Sequence, residues 1–225
     1  DLGREVEFYT KVLPFERVSE SERGMADELL GLSGTRLQGA ELKLGDEHIT
    51  LTQHLTSKGR PIPADSRSFD HWFQHFAIVV RDMEAAWAQL RKHHVRQVSP
   101  RPQTIPRSNV AAAGIKAMKF RDPDGHNLEL LWFPDGKGNQ RWHEAGSTLF
   151  LGIDHTAMTV RSTENSITFY HDLLGLTVAG GTLNMGTEQE HLDSLPGARA
   201  RVTGMKPTMA TPAVEFLEYE QPMAG

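Results

Sequence analysis

Two histidine and glutamate pairs stand at matching places in this sequence, and they carry the chemistry that can be read from it. His75 opens the run QHFAIVVR and Glu129 sits in HNLELLWF, while His155 opens DHTAMTVR and Glu215 sits in PAVEFLEY. His75, Ala77 and Val79 share one parity of their run, and Glu129, Leu131 and Phe133 share one parity of theirs, as strand alternation requires. Each strand therefore offers one metal-capable side chain. A single histidine on a strand is usually structural, and a single glutamate in LELL is usually solvated. The recurrence of both at matching positions is hard to attribute to core packing.

The elements that must hold these residues follow from the same pattern. Phe76, Ile78 and Val80 take the other face of the opening strand, where Met83, Ala86, Trp87 and Leu90 form an apolar stripe at helical spacing that covers it. Asp82 suits the N-cap of that helix. Asp122, Pro123, Asp124 and Gly125 form a turn and close a hairpin ending in Glu129. Between helix and hairpin, Ser99 to Ala113 contains Pro100, Pro102 and Pro106 and is too long for a tight turn. Loops of that kind are either lids over a site or surface excursions.

Upstream, Asp1 to Val18 opens in a helix with Val6, Tyr9 and Leu13 on one side and Pro14 at its end. A short strand, a short helix around Met25 to Leu32, and the strands AELKLG and HITLTQHL joined by Gly45 and Asp46 come next. Thr56 to Asp70 reads as a connector, and Pro134 to Phe150, polar and Gly-rich, as a boundary. Beyond it lie LGIDHTAMTV, a helix from Thr163 to Leu174 ended by Gly175, the strand LTVAGG, a long polar excursion, and the strands ARARVTG and PAVEFLEY.

Composition narrows the function. The 225 residues are 38% hydrophobic and 24% charged, with a net charge of -5. That suits one or two globular domains and gives no run long enough to span a bilayer; the cytoplasm is the expected location. Net negative charge argues against a nucleic-acid partner. The chain holds no cysteine, so thiolate metal sites and cysteine nucleophiles are excluded and any metal must take His, carboxylate, Gln or water. The glycines punctuate turns, and no Ser-His-Asp arrangement, phosphate-cradling loop or dinucleotide fingerprint is present. The absence of an initial Met or a signal-like segment suggests truncation.

The chain repeats itself. QHFAIVVR aligns with DHTAMTVR, HNLELLWF with PAVEFLEY, and VEFYTKVLPFERV with ITFYHDLLGLTV, which makes three copies of one unit. The first copy lacks its opening strand. These repeats, with the FRDPDGHNLELLWF ending, resemble the vicinal oxygen chelate superfamily, which includes glyoxalase I, extradiol dioxygenases and bleomycin-resistance proteins. The resemblance implies an α+β fold of βαβββ modules pairing into half-barrels around a metal. On that basis residues 1–133 are expected to hold modules one and two as a pair, 134–149 a linker, and 150–225 a third module without a partner.

Carried over, the resemblance makes His75 and Glu129 the metal ligands of module two, and His155 and Glu215 those of module three. In module one Thr50 stands where the others have Glu; Glu47, Gln53 or His54 enter only in another register. The implied function is a metal-dependent lyase or isomerase of glyoxalase type, acting on a small substrate through two adjacent oxygens, with Glu129 as proton shuttle. Zinc, nickel, cobalt, manganese and iron are the candidate ions. The alternatives are an iron(II) extradiol-type dioxygenase, using two His and one carboxylate, and a metal-free binding protein. A homodimer is one way to complete the third module. Phe133, ahead of Trp132 and Phe73, is the aromatic expected in a pocket; Arg101, Arg107 and Arg36 are candidates to hold an anionic substrate, each with the ordinary alternative of a solvated charge. His93, His94 and His126 are read as structural.

Overall fold

The computed structural model describes residues 1–24, 34–56, 59–144, 146–208 and 212–222; the helix expected around Met25 to Leu32 lies outside them. Helix α1 (Leu2–Lys11) starts where the Asp1 side chain accepts the Arg4 N–H, and it buries Val6 and Tyr9 as its spacing predicts. Strands β1 (Glu16–Gly24), β2 (Arg36–Leu44) and β3 (Glu47–His54) form an antiparallel three-stranded sheet in that order. Gly45, at φ +61°, makes the β2–β3 turn. A Cβ there would collide with the Leu151 carbonyl, so the turn accepts only glycine on both counts.

Module two supplies β4 (Phe73–Val80), α2 (Met83–Lys92), the short strands β5 (Arg96–Gln97) and β6 (Gln103–Thr104), β7 (Lys116–Arg121) and β8 (Asn127–Trp132). Asp82 caps α2 by accepting the Ala85 N–H. Module three supplies β9 (Phe150–Thr159), α3 (Thr163–Ile167) running on as one π-helical stretch to Leu173, β10 (Thr177–Met185), α4 (Thr187–Asp193), β11 (Arg199–Lys206) and β12 (Ala213–Gln221). The segment read as a long polar excursion therefore contains the helix α4.

These two modules share one nine-stranded sheet in the order β10-β11-β12-β9-β4-β8-β7-β5, with β6 on β7. In each module the first strand lies parallel to the last, β4 beside β8 and β9 beside β12, and the modules join where β4 meets β9 antiparallel. The expected pairing of modules one and two in a single half-barrel is thus not what the sheet contains. Module three has its partner within this chain, and the partner is module two.

Module one packs instead on the far side of module two. Phe8, Tyr9, Val12 and Leu13 of α1 share a core with Ile78 and Val80 of β4 and with Met83, Ala86 and Leu90 of α2, all of them buried. Trp87, expected in the buried stripe, is only half-buried. Its indole N–H donates to Gln97 Oε1 at 3.2 Å, and Arg91 stacks on the ring at 4.2 Å. An indole needs a hydrogen-bond partner, and at the rim of the core it finds one that the centre would not provide.

A candidate metal centre between two modules

The sheet register alone brings the four sequence candidates together. Ala77 of β4 lies between Glu129 of β8 and His155 of β9, and Ala157 of β9 lies between His75 of β4 and Glu215 of β12. Register neighbours on adjacent strands point to the same face, so two rows, Glu129-Ala77-His155 and His75-Ala157-Glu215, face one concavity. The two alanines, each fully buried, leave the space above them to the larger side chains. His75 Nε2 is 3.2 Å from Glu129 Oε2 and 3.3 Å from His155 Nε2, and His155 Nε2 is 3.5 Å from Glu215 Oε2. His155 Nε2 and Glu129 Oε2 are 4.0 Å apart.

Both histidines are aimed by the residue before them. His75 Nδ1 meets Gln74 Oε1, and His155 Nδ1 meets Asp154 Oδ2 at 3.0 Å. An imidazole that donates from Nδ1 to an oxygen presents the lone pair of Nε2, the orientation common to metal-bound histidines. Asp154 is itself fixed by the Trp142 indole N–H at 2.8 Å. Trp142 is buried within the segment read as a linker, in a short 3-10 turn from Gln140 to His143. The residues Gln74, Asp154 and Trp142 were not picked out from sequence, although the first two hold the same position in QHFAIVVR and DHTAMTVR and the repeat could have shown them.

The charges fit a cation. Burial pushes the His75 imidazolium below its ordinary range, against the pull of the Glu129 carboxylate. For His155 burial works the same way, but the carboxylates of Glu215, Asp154 and Glu129 outweigh it and raise the group to about 9. Burial would raise Glu129; His75, Lys119 and His155 prevail and hold it at about 2. Two Nε2 atoms and two carboxylate oxygens so close repel one another unless a proton or a cation lies among them. His75, Glu129 and His155 each offer a donor atom within 4.8 Å of the others, and all three are buried. Two imidazoles and two carboxylates are hard-to-borderline donors that suit zinc, nickel, cobalt, manganese or iron(II).

These donors line a cavity of about 190 Å³ whose other walls include Ile105, Ile115, Leu131, Phe133, Leu192 and Leu217. Phe133 is there as expected. Ile105 and Ala112 come from the proline-rich loop, which thereby forms one wall of the site rather than a surface excursion. Asn109 of that loop ties it to β10, donating to Asn184 Oδ1 and accepting from the Thr182 hydroxyl, both at 2.7 Å. None of Arg101, Arg107 and Arg36 lines the cavity.

The first-module candidates lie elsewhere. Thr50, Gln53 and His54 border a larger cavity of about 770 Å³ between α1 and β3 on one side and β4 and β9 on the other, which holds none of the four converging donors. Glu47 is buried, where it accepts the Ile153 N–H at 2.9 Å and pairs with Arg141 at 2.7 Å; it fastens module one to module three. Trp132 donates to the Arg81 carbonyl, and Phe73 is half exposed. His126 pairs with Asp122 in the hairpin turn at 2.9 Å, His93 caps α2, and His94 follows at φ +52°.

Comparison with known proteins agrees with this fold. Glyoxalase I from Zea mays superimposes with a TM-score of 0.63 at 16% identity over 99% of this chain and 65% of the maize chain. A putative dioxygenase from Bacillus subtilis superimposes with a TM-score of 0.54 at 17% identity over 95% of this chain and 59% of its own. The chain thus spans less than two thirds of the length of either, and at such identities the likeness is one of fold. No curated protein sequence matches. The family described as Glyoxalase/Bleomycin resistance protein/Dioxygenase superfamily matches residues 1–130 and 152–223, the stretches that carry all three modules and all four donors. By fold, repeat and sequence, the chain belongs to that superfamily.

Proposed function

We propose that this chain is a metal-dependent enzyme of glyoxalase type, a lyase or isomerase that acts on a small substrate bearing two adjacent oxygens. The observation that supports it is the convergence of His75, Glu129, His155 and Glu215, from two modules, in a small and largely apolar cavity. These four residues would hold a divalent ion, which when bound supplies Lewis acidity to the paired oxygens. Gln74 and Asp154, which hold the Nδ1 atoms of both imidazoles, would keep the rings oriented for an ion. The apolar walls exclude water and make the fixed charges more effective. Oligomerisation is not needed to complete the third module's donors, because module two provides their complement.

The proton-shuttle role expected of Glu129 suits Glu215 better. Glu129 is nearly buried, lies beside His75 and is held strongly ionised, whereas the Glu215 side chain is 23% exposed and meets only His155 among the donors. A carboxylate with fewer fixed partners is freer to take a proton from a neighbouring carbon and return it.

An iron(II) dioxygenase is the second reading. It is favoured by the tight grouping of two His and one carboxylate, His75, His155 and Glu129, which is the set that suits oxygen chemistry at iron. Metal analysis of protein purified without chelators separates the readings. Zinc, nickel, cobalt or manganese supports the lyase or isomerase, oxygen-sensitive iron supports the dioxygenase, and protein that neither contains nor takes up a divalent ion overturns both in favour of a binding protein.

A further inference from the structure

Beside the donors lies a polar network that metal binding does not use. Asp193, at the end of α4, has a fully buried side chain and accepts three hydrogen bonds, from Lys119 Nζ at 2.7 Å, Gln189 Nε2 at 2.6 Å and the Tyr219 hydroxyl at 2.8 Å. An ionised carboxylate only accepts, so the Gln189 amide must turn its NH2 toward Asp193 and its oxygen away. That oxygen, Oε1, is buried and has no hydrogen-bond partner among the described residues. Gln189 lines the same 190 Å³ cavity as His75, Glu129, His155 and Glu215. Neighbouring polar groups of the wall are engaged: Thr182 and Asn184 with Asn109, and Lys119 with Asp193.

We infer that Gln189 reads the substrate. Its Oε1 accepts a hydrogen bond from an N–H or O–H group that the substrate carries next to its metal-directed oxygens. Gln189 lines the same small cavity as the donors, so a molecule that fills the cavity meets both. A buried acceptor left unpaired penalises every ligand that lacks the donor, which makes such a group a stronger discriminator than an apolar wall. The acceptor is held rigidly in advance. The Ser99 hydroxyl donates to the Leu192 carbonyl at 2.6 Å and the Ser194 hydroxyl donates to the Val98 carbonyl, pinning α4 to the strand edge on both sides of Asp193. The substrate class is therefore narrower than any molecule with vicinal oxygens: it bears a hydroxyl or amide hydrogen beside them.

This inference rests on the metal reading of the site, and its test keeps the two apart. Wild-type protein and a Gln189→Met variant, each saturated with cobalt(II), are titrated calorimetrically with acetohydroxamic acid and with N-methylacetohydroxamic acid. Both probes chelate through two adjacent oxygens, and only the first has the N–H. The ratio of the two affinities is compared between proteins, so that the bulk of the methyl group cancels. We expect the wild type to favour the N–H probe about tenfold more than the variant does. Gln189→Asn, which retracts the oxygen, should lose the preference as well and serves if the methionine variant does not fold. Equal preference in wild type and variants overturns the role of Gln189 while leaving the metal site standing. Failure of the wild type to bind cobalt overturns the metal reading, and this inference with it.

Discussion

Removing either partner of the buried Lys119–Asp193 pair should destabilise the protein strongly, and unequally. Both side chains are almost fully excluded from solvent, at 3% and 0% exposure, and their atoms meet at 2.7 Å. Burial alone would lower the Lys119 ammonium, but the charges of Asp193 and Glu129 outweigh it and raise the group above its ordinary value, so the pair is ionic. Breaking a buried pair costs about 3–5 kcal/mol because a charge is left uncompensated. Lys119→Met leaves Asp193 two donors, Gln189 and Tyr219, and belongs near 3 kcal/mol. Asp193→Leu strands Lys119 and also deprives Gln189 and Tyr219 of their acceptor, at roughly 1 kcal/mol or more apiece, so it belongs at or above 5 kcal/mol. The double variant buries no charge and should cost less than the sum of the singles by at least about 2 kcal/mol. Urea unfolding of the four proteins, with the m-value checked for constancy, measures this. Single variants that each cost less than about 1 kcal/mol, or that add without coupling, would refute the ionic account.

Ala157→Leu should push His75 and Glu215 apart, because the alanine lies between them in register; metal affinity should fall at least about tenfold in calorimetry, with a stability loss of about 1–3 kcal/mol from overpacking. Trp87→Ala should cost about half of the ~3–5 kcal/mol typical of a buried tryptophan, since the ring is half-buried; a urea midpoint shift equivalent to the full range would mean that it is core. Burial, with Asp122 and Asp124 nearby, pushes the Glu5 carboxyl up to about 7 from 4.5. Between those values the unfolded chain gives up a proton that the folded protein keeps, so stability falls as pH rises through that window. Glu5→Gln should abolish this fall and leave the variant more stable than wild type by up to about 3 kcal/mol at pH 8, with little difference below pH 4.5, as urea midpoints at the two pH values will show.

Local periodicity made the single strands and helices legible. The parity of His75 and Glu129, the Asp82 cap, the Met83, Ala86 and Leu90 stripe and the hairpin at Asp122 all emerge from spacings of two or four residues. The repeat then placed His155 and Glu215 in equivalent positions. Which module pairs with which was not legible, because the β4–β9 contact joins strands whose sequences state only that each has one apolar and one mixed face. The consequence was two expected half-sites where the fold brings the four donors into one. Helix α4 was missed for a different reason. Its sequence TEQEHLD is polar nearly throughout, and it is held in place by buried Asp193, which accepts from the distant Lys119 and Tyr219, rather than by an apolar stripe. Glu47 looked like a displaced ligand because its tie to the Ile153 N–H spans 106 residues and leaves no local trace.

The central claim is that two modules of one chain build one metal centre. Titration of the metal-free chain with cobalt(II), followed by calorimetry and by the visible spectrum of the bound ion, tests it most directly. We predict one tight site per chain, a spectrum of nitrogen and oxygen ligation, and loss of that single site in His75→Ala and equally in His155→Ala, although these residues belong to different modules. Two independent sites per chain, each abolished by only one of the substitutions, or a site that survives both, would contradict it.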